Sequence, residues 1–267
     1  MKSEEINVFR QIGLWKNECP EYYDFCKKIY ENRFFNDTTH SVFRAVSDSA
    51  ETISETLYAG TTVFRARIVP YGMKYRKQQG FDVLNEKEIG APPISTEGRG
   101  NPAYTSRLYV SDSPYCALSE VRPACGMSVA IGTGFTVRDL KICSFVKWPS
   151  VKPITYIGSG KKSILEALNR AFSTPVNEVK DYLPTQTISE YVRITMGFDG
   201  IAYSSSQCPD GINYLLFDTS SVKFISAQRF GVQGIKYTAF SYFPQFRSLA
   251  LNNRMGMVKE KPPQSET

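Results

Sequence analysis

Up to about residue 57 the apolar positions follow a helical period. Ile6, Phe9 and Ile12 recur every three residues, and Leu14 and Trp15 continue that side. Cys19-Pro20 breaks the run, because proline disfavours helix in the residue before it. Pro20 itself suits the first turn of a second helix, PEYYDFCKKIYENRFF, with Tyr22, Cys26 and Tyr30 on one face and Phe34 following. A third helix is expected over about 41–57. Beyond it the period shortens to two. Thr61 to Val69 is a strand rich in β-branched residues, with Val63, Arg65 and Arg67 on one face and Phe64, Ala66 and Ile68 on the other. Residues 70–97 are polar and turn-rich, long for a plain connection, and read as a lid, a binding segment or a disordered loop.

A strand-like Leu108-Tyr109-Val110 follows, then a helix opened by Ser113-Pro114 and carrying Glu120. Ser128 to Phe135 and Leu140 to Val146 are further strands. A helix is expected near 161–172. Another begins near Pro184 and carries Ile188, Tyr191, Val192 and Thr195 towards a stop at Gly197. Phe198 to Tyr203, Asn213 to Phe217 and Val222 to Ser226 complete the strands, and a loose polar tail starts near residue 250. Short strands with helices at uneven intervals lack the alternation of a doubly wound sheet, so an α+β fold is expected. The organisation expected is a helical N-terminal extension over 1–58, a main domain over 59–230, and a C-terminal segment over 231–267.

The 267 residues are 42% hydrophobic and 22% charged, an ordinary balance for a globular chain. No apolar run approaches the roughly 18 residues of a membrane span. The opening MKSEEINVFRQ mixes acids and bases and does not read as a secretory signal, so the cytoplasm is the expected compartment. The net charge of +6 mildly favours anionic partners such as nucleotides, and is too small to imply direct binding to nucleic acid. The six cysteines show no Cys-x-x-Cys spacing and read as buried thiols. The single histidine, His40, leaves no room for a multi-histidine metal centre, and no metal site is expected. Chemistry must come from carboxylates, arginines, tyrosines and hydroxyls.

Gly158-Ser159-Gly160-Lys161-Lys162-Ser163 resembles a phosphate loop but fails twice. Thr155 stands where the first glycine is needed, and Lys162 where a hydroxyl residue is needed. Gly98-Arg99-Gly100 is more suggestive, since flanking glycines let an arginine fork onto a phosphate or carboxylate. A surface arginine in a turn explains it equally well. Glu120 lies beside Cys116, Ala117, Leu118 and Val121, either solvated at the edge of that stripe or held in a pocket. The turn after Tyr203, with Ser204, Ser205 and Ser206, offers hydroxyls and amides at a strand end, as anion sites and ordinary turns both do.

Taken in order, Phe64-Arg65-Ala66-Arg67, Gly98-Arg99-Gly100-Asn101-Pro102, Leu108-Tyr109-Val110, Ala117-Leu118-Ser119-Glu120-Val121 and Phe198-Asp199-Gly200-Ile201-Ala202-Tyr203-Ser204-Ser205, with Asn213 and Leu216-Phe217, resemble the RES domain. The resemblance spans about residues 60–230. It implies a mixed-sheet core akin to that of ADP-ribosyltransferases. It implies a bacterial toxin that depletes NAD by hydrolysis or phosphorolysis and is neutralised by an Xre-like helix-turn-helix antitoxin. NAD would then be the substrate and inorganic phosphate a co-substrate, with no resident cofactor. By position, the resemblance makes Glu120, Arg99 and Tyr109 catalytic, and Arg65, Arg67, Ser205, Asn101 and Asn213 substrate-binding. Gly100 and Ser204 depart from the family pattern, where a large residue and a proline are usual, and the serine of the site could be Ser204, Ser205 or Ser206. ADP-ribosyl transfer to a macromolecule and a non-enzymatic interaction domain are the alternatives, and homo-oligomerisation is left open.

Overall fold

The computed structural model describes residues 15–73, 80–146, 161–176 and 178–235. The expected helix around Ile6, Phe9 and Ile12, the Gly158–Gly160 turn and the tail from residue 250 lie outside them. Met1–Val232 is one compact unit and Gln233–Thr267 a second, of which residues 233–235 are described and carry no helix or strand.

The first helix, α1 (Pro20–Glu31), starts on Pro20 and buries Tyr22, Phe25, Cys26 and Ile29, one face at spacings of three and four. It ends at Asn32, so Phe34 leaves the apolar stripe and is exposed. Next comes α2 (Ser41–Asp48), capped by His40: the ring Nδ1 accepts from Val42 N at 3.2 Å and Nε2 lies 3.1 Å from Asp24 Oδ2. The lone histidine is thus a buried cap. The helix expected to run to residue 57 stops early. After α3 (Ala50–Ile53) the chain becomes β1 (Ser54–Leu57), because pairing with β5 (Leu140–Ser144) overrides local helical propensity there.

Six more strands join these two: β2 (Thr62–Ile68), β3 (Leu108–Ser111), β4 (Ser128–Thr136), β6 (Gly200–Ser204), β7 (Ile212–Leu216) and β8 (Val222–Gly231). The eight form one sheet in the order β1-β5-β6-β7-β3-β2-β4-β8, antiparallel except for β5–β6. With α4 (Glu86–Ile89), α5 (Pro114–Glu120), α6 (Lys161–Ser173) and α7 (Leu183–Glu190), the fold is α+β. A capping box between Asn85 and Glu88 holds α4, which lies within the turn-rich segment.

The period of two in the strands sorts the core into layers. Ile201, Tyr203, Leu215 and Phe217 join the apolar faces of α1, α2, α6 and α7 in one cluster. Their sequence neighbours Ala202, Tyr214 and Leu216 join Val63, Leu108 and Ile142 in another. A third, small cluster seats Ala117 of α5 on Ala66, Val129 and Ile131. Helix α5 therefore covers the face of β2 and β4 opposite to Val63 and Ala130.

Candidate active site

The sheet has a weak seam. Strand β2 pairs with β4 at seven positions, Thr62 to Ile68, but with β3 only at Phe64↔Ser111. Past that point the two strands part. Arg65 bridges the gap: its Nη1 donates to the Tyr109 carbonyl at 2.6 Å, replacing the ladder bond that the divergence removes. Arg65 thus lies on an inner strand, not on a solvent-facing edge. Burial, reinforced by the charge of Arg67, pushes its guanidinium down to about 10.

A cavity of about 430 Å³ opens at this seam. Phe64, Arg65 and Ala66 form one wall, Tyr109, Val110 and Ser111 another, and Ala117, Glu120, Val121 and Arg122 a third. Arg99, Tyr182, Tyr203 and Asn213 complete the lining. The volume is that of an ordinary small-molecule site.

Glu120 is the last residue of α5, whose start is fixed by Ser113 Oγ accepting from Cys116 N at 3.2 Å and by Pro114 in the first turn. Two donors converge on its Oε1: Ser205 Oγ at 2.6 Å and Asn213 Nδ2 at 2.7 Å. Each donor is itself held. Ser205 Oγ accepts from Gln207 N and Cys208 N at 3.1 and 3.0 Å, and Asn213 Oδ1 accepts from Ser111 Oγ at 2.7 Å. Oε2 receives no hydrogen bond from a described residue. The carboxylate is oriented through one oxygen and presents the other.

Among the three serines, Ser205 is the one that reaches Glu120. Ser204 is held by Asn169, which accepts from Ser204 N at 2.9 Å and donates to its Oγ at 3.1 Å, and Ser206 is exposed. Ser205 and Asn213, expected to bind substrate, are carboxylate-orienting groups in this geometry, and only Asn213 also lines the cavity.

Arg99 sits on a tight turn. Gly98 and Asn101 exchange backbone hydrogen bonds at 2.9 and 3.3 Å, and Gln186 Nε2 donates to both their carbonyls at 2.9 and 3.0 Å. The Tyr109 hydroxyl accepts from Gly100 N at 2.9 Å and donates to Asn101 Oδ1 at 2.8 Å. The Asn101 amide nitrogen donates to the Thr96 and Pro102 carbonyls. Arg99 is thereby aimed at the cavity, with its guanidinium carbon 5.6 Å from the Tyr203 ring centre and Nη2 donating to the Thr174 carbonyl at 3.0 Å. Gly100 leaves room for Leu215 here: a Cβ would stand 2.0 Å from Leu215 Cδ2, so that side chain would have to shift.

These contacts place three of the expected residues away from the open cavity or tie up their polar atoms. Asn101 is buried with both polar atoms engaged in the turn, so it shapes the site without facing the cavity. Tyr109 lines the cavity and spends its hydroxyl on the same turn. Arg67 donates to the Gly90 carbonyl at 2.8 Å and is not part of the cavity wall. Conversely, Arg122, Tyr182 and Tyr203 line the cavity and Gln186 holds its arginine turn, none of which was expected. Tyr203 lay inside a quoted motif; Tyr182, on the 3-10 turn Val179–Tyr182, carried no signal in the sequence.

Electrostatically the wall carries three arginines and one carboxylate. The Nε atoms of Arg65 and Arg99 are buried without a partner among the described residues. Buried donors of this kind are costly unless something accepts from them, and an anionic ligand would. Among the described residues no group of His, Cys, Asp and Glu is placed to hold a metal ion, and no helix is long and apolar enough to cross a membrane.

The family model of the RES domain matches residues 74–239, more than half of the sequence. The chain belongs to the RES-domain family. The match takes in Arg99, Glu120 and Ser205 and begins after Arg65, which the fold brings to the same cavity. No curated protein matches the chain. Among solved structures, it is similar to a chain of the crystal structure of the M. tuberculosis MbcT–MbcA toxin–antitoxin complex, at 11% identity and a TM-score of 0.39, with 72% of this chain and 94% of that one covered.

Proposed function

We propose that this RES domain cleaves the nicotinamide–ribose bond of NAD, and that it acts as a toxin kept in check by an antitoxin. The observation that carries the reading is Glu120: a carboxylate fixed through Oε1, with Oε2 unbonded to any described residue, in a cavity shared with Arg65 and Arg99.

In this reaction the C–N bond breaks and its electron pair goes to the pyridinium nitrogen, so nicotinamide leaves neutral and no general acid is needed. Positive charge develops on the ribose. Glu120 stabilises that charge, and Oε2 accepts the proton when water attacks. With inorganic phosphate as the nucleophile the product is a sugar phosphate instead. Arg65 and Arg99 hold the diphosphate, their unpaired Nε donors finding acceptors there. The pinned turn and the Arg65 bridge fix these groups before substrate arrives, which is where much of the rate comes from. The antitoxin rests on the family resemblance, an Xre-like helix-turn-helix protein being the expected partner.

Mass spectrometry of NAD incubated with the protein, with and without phosphate, tests the proposal. Release of nicotinamide with ADP-ribose or its phosphate ester is expected. Absence of nicotinamide release overturns cleavage, and adenine label appearing on a macromolecule replaces it with ADP-ribosyl transfer.

A further inference from the structure

Helix α5 ends in an arrangement that its sequence does not favour. Val121 closes the helix with φ −81°, and Arg122 then takes φ +45°. That left-handed position directly after a helix is normally glycine, because a Cβ crowds the backbone there. Pro123 adds to the strain, since the residue before a proline is restricted further. The turn itself serves the fold: Arg122 N donates to the Ser119 carbonyl at 3.2 Å, and Pro123 is buried just beyond it. Nothing in the turn calls for an arginine.

The side chain serves nothing in the fold either. It is exposed and makes no hydrogen bond or ion pair with a described residue. It does line the cavity, two positions after Glu120 and together with Arg65. A strained backbone position that keeps a long cation beside a carboxylate, where glycine would relax the turn, points to a ligand.

We infer that Arg122 is a substrate-binding residue that grips the diphosphate of the dinucleotide from the α5 side. This rests on the reading of the cavity as an NAD site. It adds a third cation, on a separate element, to the two arginines whose Nε atoms are buried. Its exposure suits a contact made as substrate enters, while Arg65 and Arg99 are fixed in advance.

The test is Arg122→Gly beside Arg122→Lys, read in three ways. Calorimetric affinity for ADP falls by about tenfold in the glycine variant, as loss of one charged hydrogen-bonding group predicts. Affinity for adenosine, which has no phosphate, falls much less. The lysine variant recovers part of the ADP affinity. For NAD turnover, KM rises more than kcat falls. The melting temperature of Arg122→Gly rises by about 2 °C, because the left-handed strain is relieved. Undiminished ADP affinity in Arg122→Gly overturns the inference, and so does a lowered melting temperature, which would show the arginine kept for the fold. The ADP comparison decides the role of Arg122 even when wild-type protein releases no nicotinamide, an outcome that would count against the cleavage reading alone.

Discussion

Ser205 Oγ donates to Glu120 Oε1 at 2.6 Å, although the two residues lie 85 positions apart in the chain. One closes a helix and the other follows a strand, and they meet beside the cavity that Glu120 and Tyr203 both line. Asn213 on β7 donates to the same oxygen at 2.7 Å. The carboxylate is held in a defined orientation by neutral donors, and it forms no direct ion pair with a described residue. A group meant to face a forming cation needs that arrangement, since a paired arginine would cancel the field it supplies.

Glu120→Gln tests the charge directly. The amide keeps the shape and an Oε1 that accepts from Ser205 and Asn213, so folding is expected to be preserved. Loss of the charge is expected to lower NAD cleavage by about two to three orders of magnitude, as for other electrostatic stabilisers. Initial rates alongside a thermal melt check both halves. Near-normal turnover in a folded variant would remove Glu120 from the mechanism.

Ser205→Ala keeps the charge and loosens its aim. One donor to Oε1 goes, and the amides of Gln207 and Cys208 lose their acceptor. A fall in kcat of about tenfold is expected, with stability lowered by about 1–2 kcal/mol. KM for NAD is expected to move less than kcat, because Ser205 does not line the cavity. A rise in KM alone would assign the hydroxyl to substrate binding instead.

An acid-labile anchor holds α7, the helix that carries Gln186. Glu190 accepts from Arg107 at 2.9 Å and from Arg193 at 2.6 Å. Burial alone would raise its carboxyl, but the hydrogen bonds and charges of the two arginines outweigh it and hold the group below its ordinary value. A carboxylate depressed in the folded state stabilises the protein above its ordinary pKa, and that stability is lost as pH falls through the lowered value. Melting temperature is therefore expected to drop more steeply below about pH 4.5 in wild type than in Glu190→Gln. Parallel curves would show that the pair contributes nothing to acid stability.

The strands and most helices were legible because their signals are local. Pro20 and Ser113-Pro114 mark helix starts where the structure has them, and Gly197, with φ +67°, follows the π-helical turn Tyr191–Thr195 that continues α7. The change from helix to strand at Ser54 was not legible, since β1 exists only through its pairing with Lys141, Ile142 and their neighbours. At the site, motif order picked out Arg99, Glu120 and Ser205, but the division of labour among site residues is three-dimensional. No spacing reveals that Tyr109 and Asn101 spend their polar atoms on the Gly98 to Asn101 turn. Nor does any pattern show that Gly100 fits against Leu215. Tyr182 and Arg122 were missed for the same reason: each reaches the cavity through the path of a turn.

Tyr109→Phe separates a positioning phenol from a catalytic one. The hydroxyl ties Gly100 N and Asn101 Oδ1 together, and burial pushes its ionisation up, so it serves as a neutral donor and acceptor. Removing it leaves both partners unpaired, at a cost of about 1–3 kcal/mol. The turn that aims Arg99 would loosen, and its effect should fall on substrate capture. KM for NAD is expected to rise several-fold with a smaller loss in kcat, together with a lower melting temperature. A catalytic phenol would behave in the opposite way, with kcat collapsing at unchanged KM and stability. Steady-state kinetics and a melt on the same preparation distinguish the two, and the second pattern would return Tyr109 to the reaction itself.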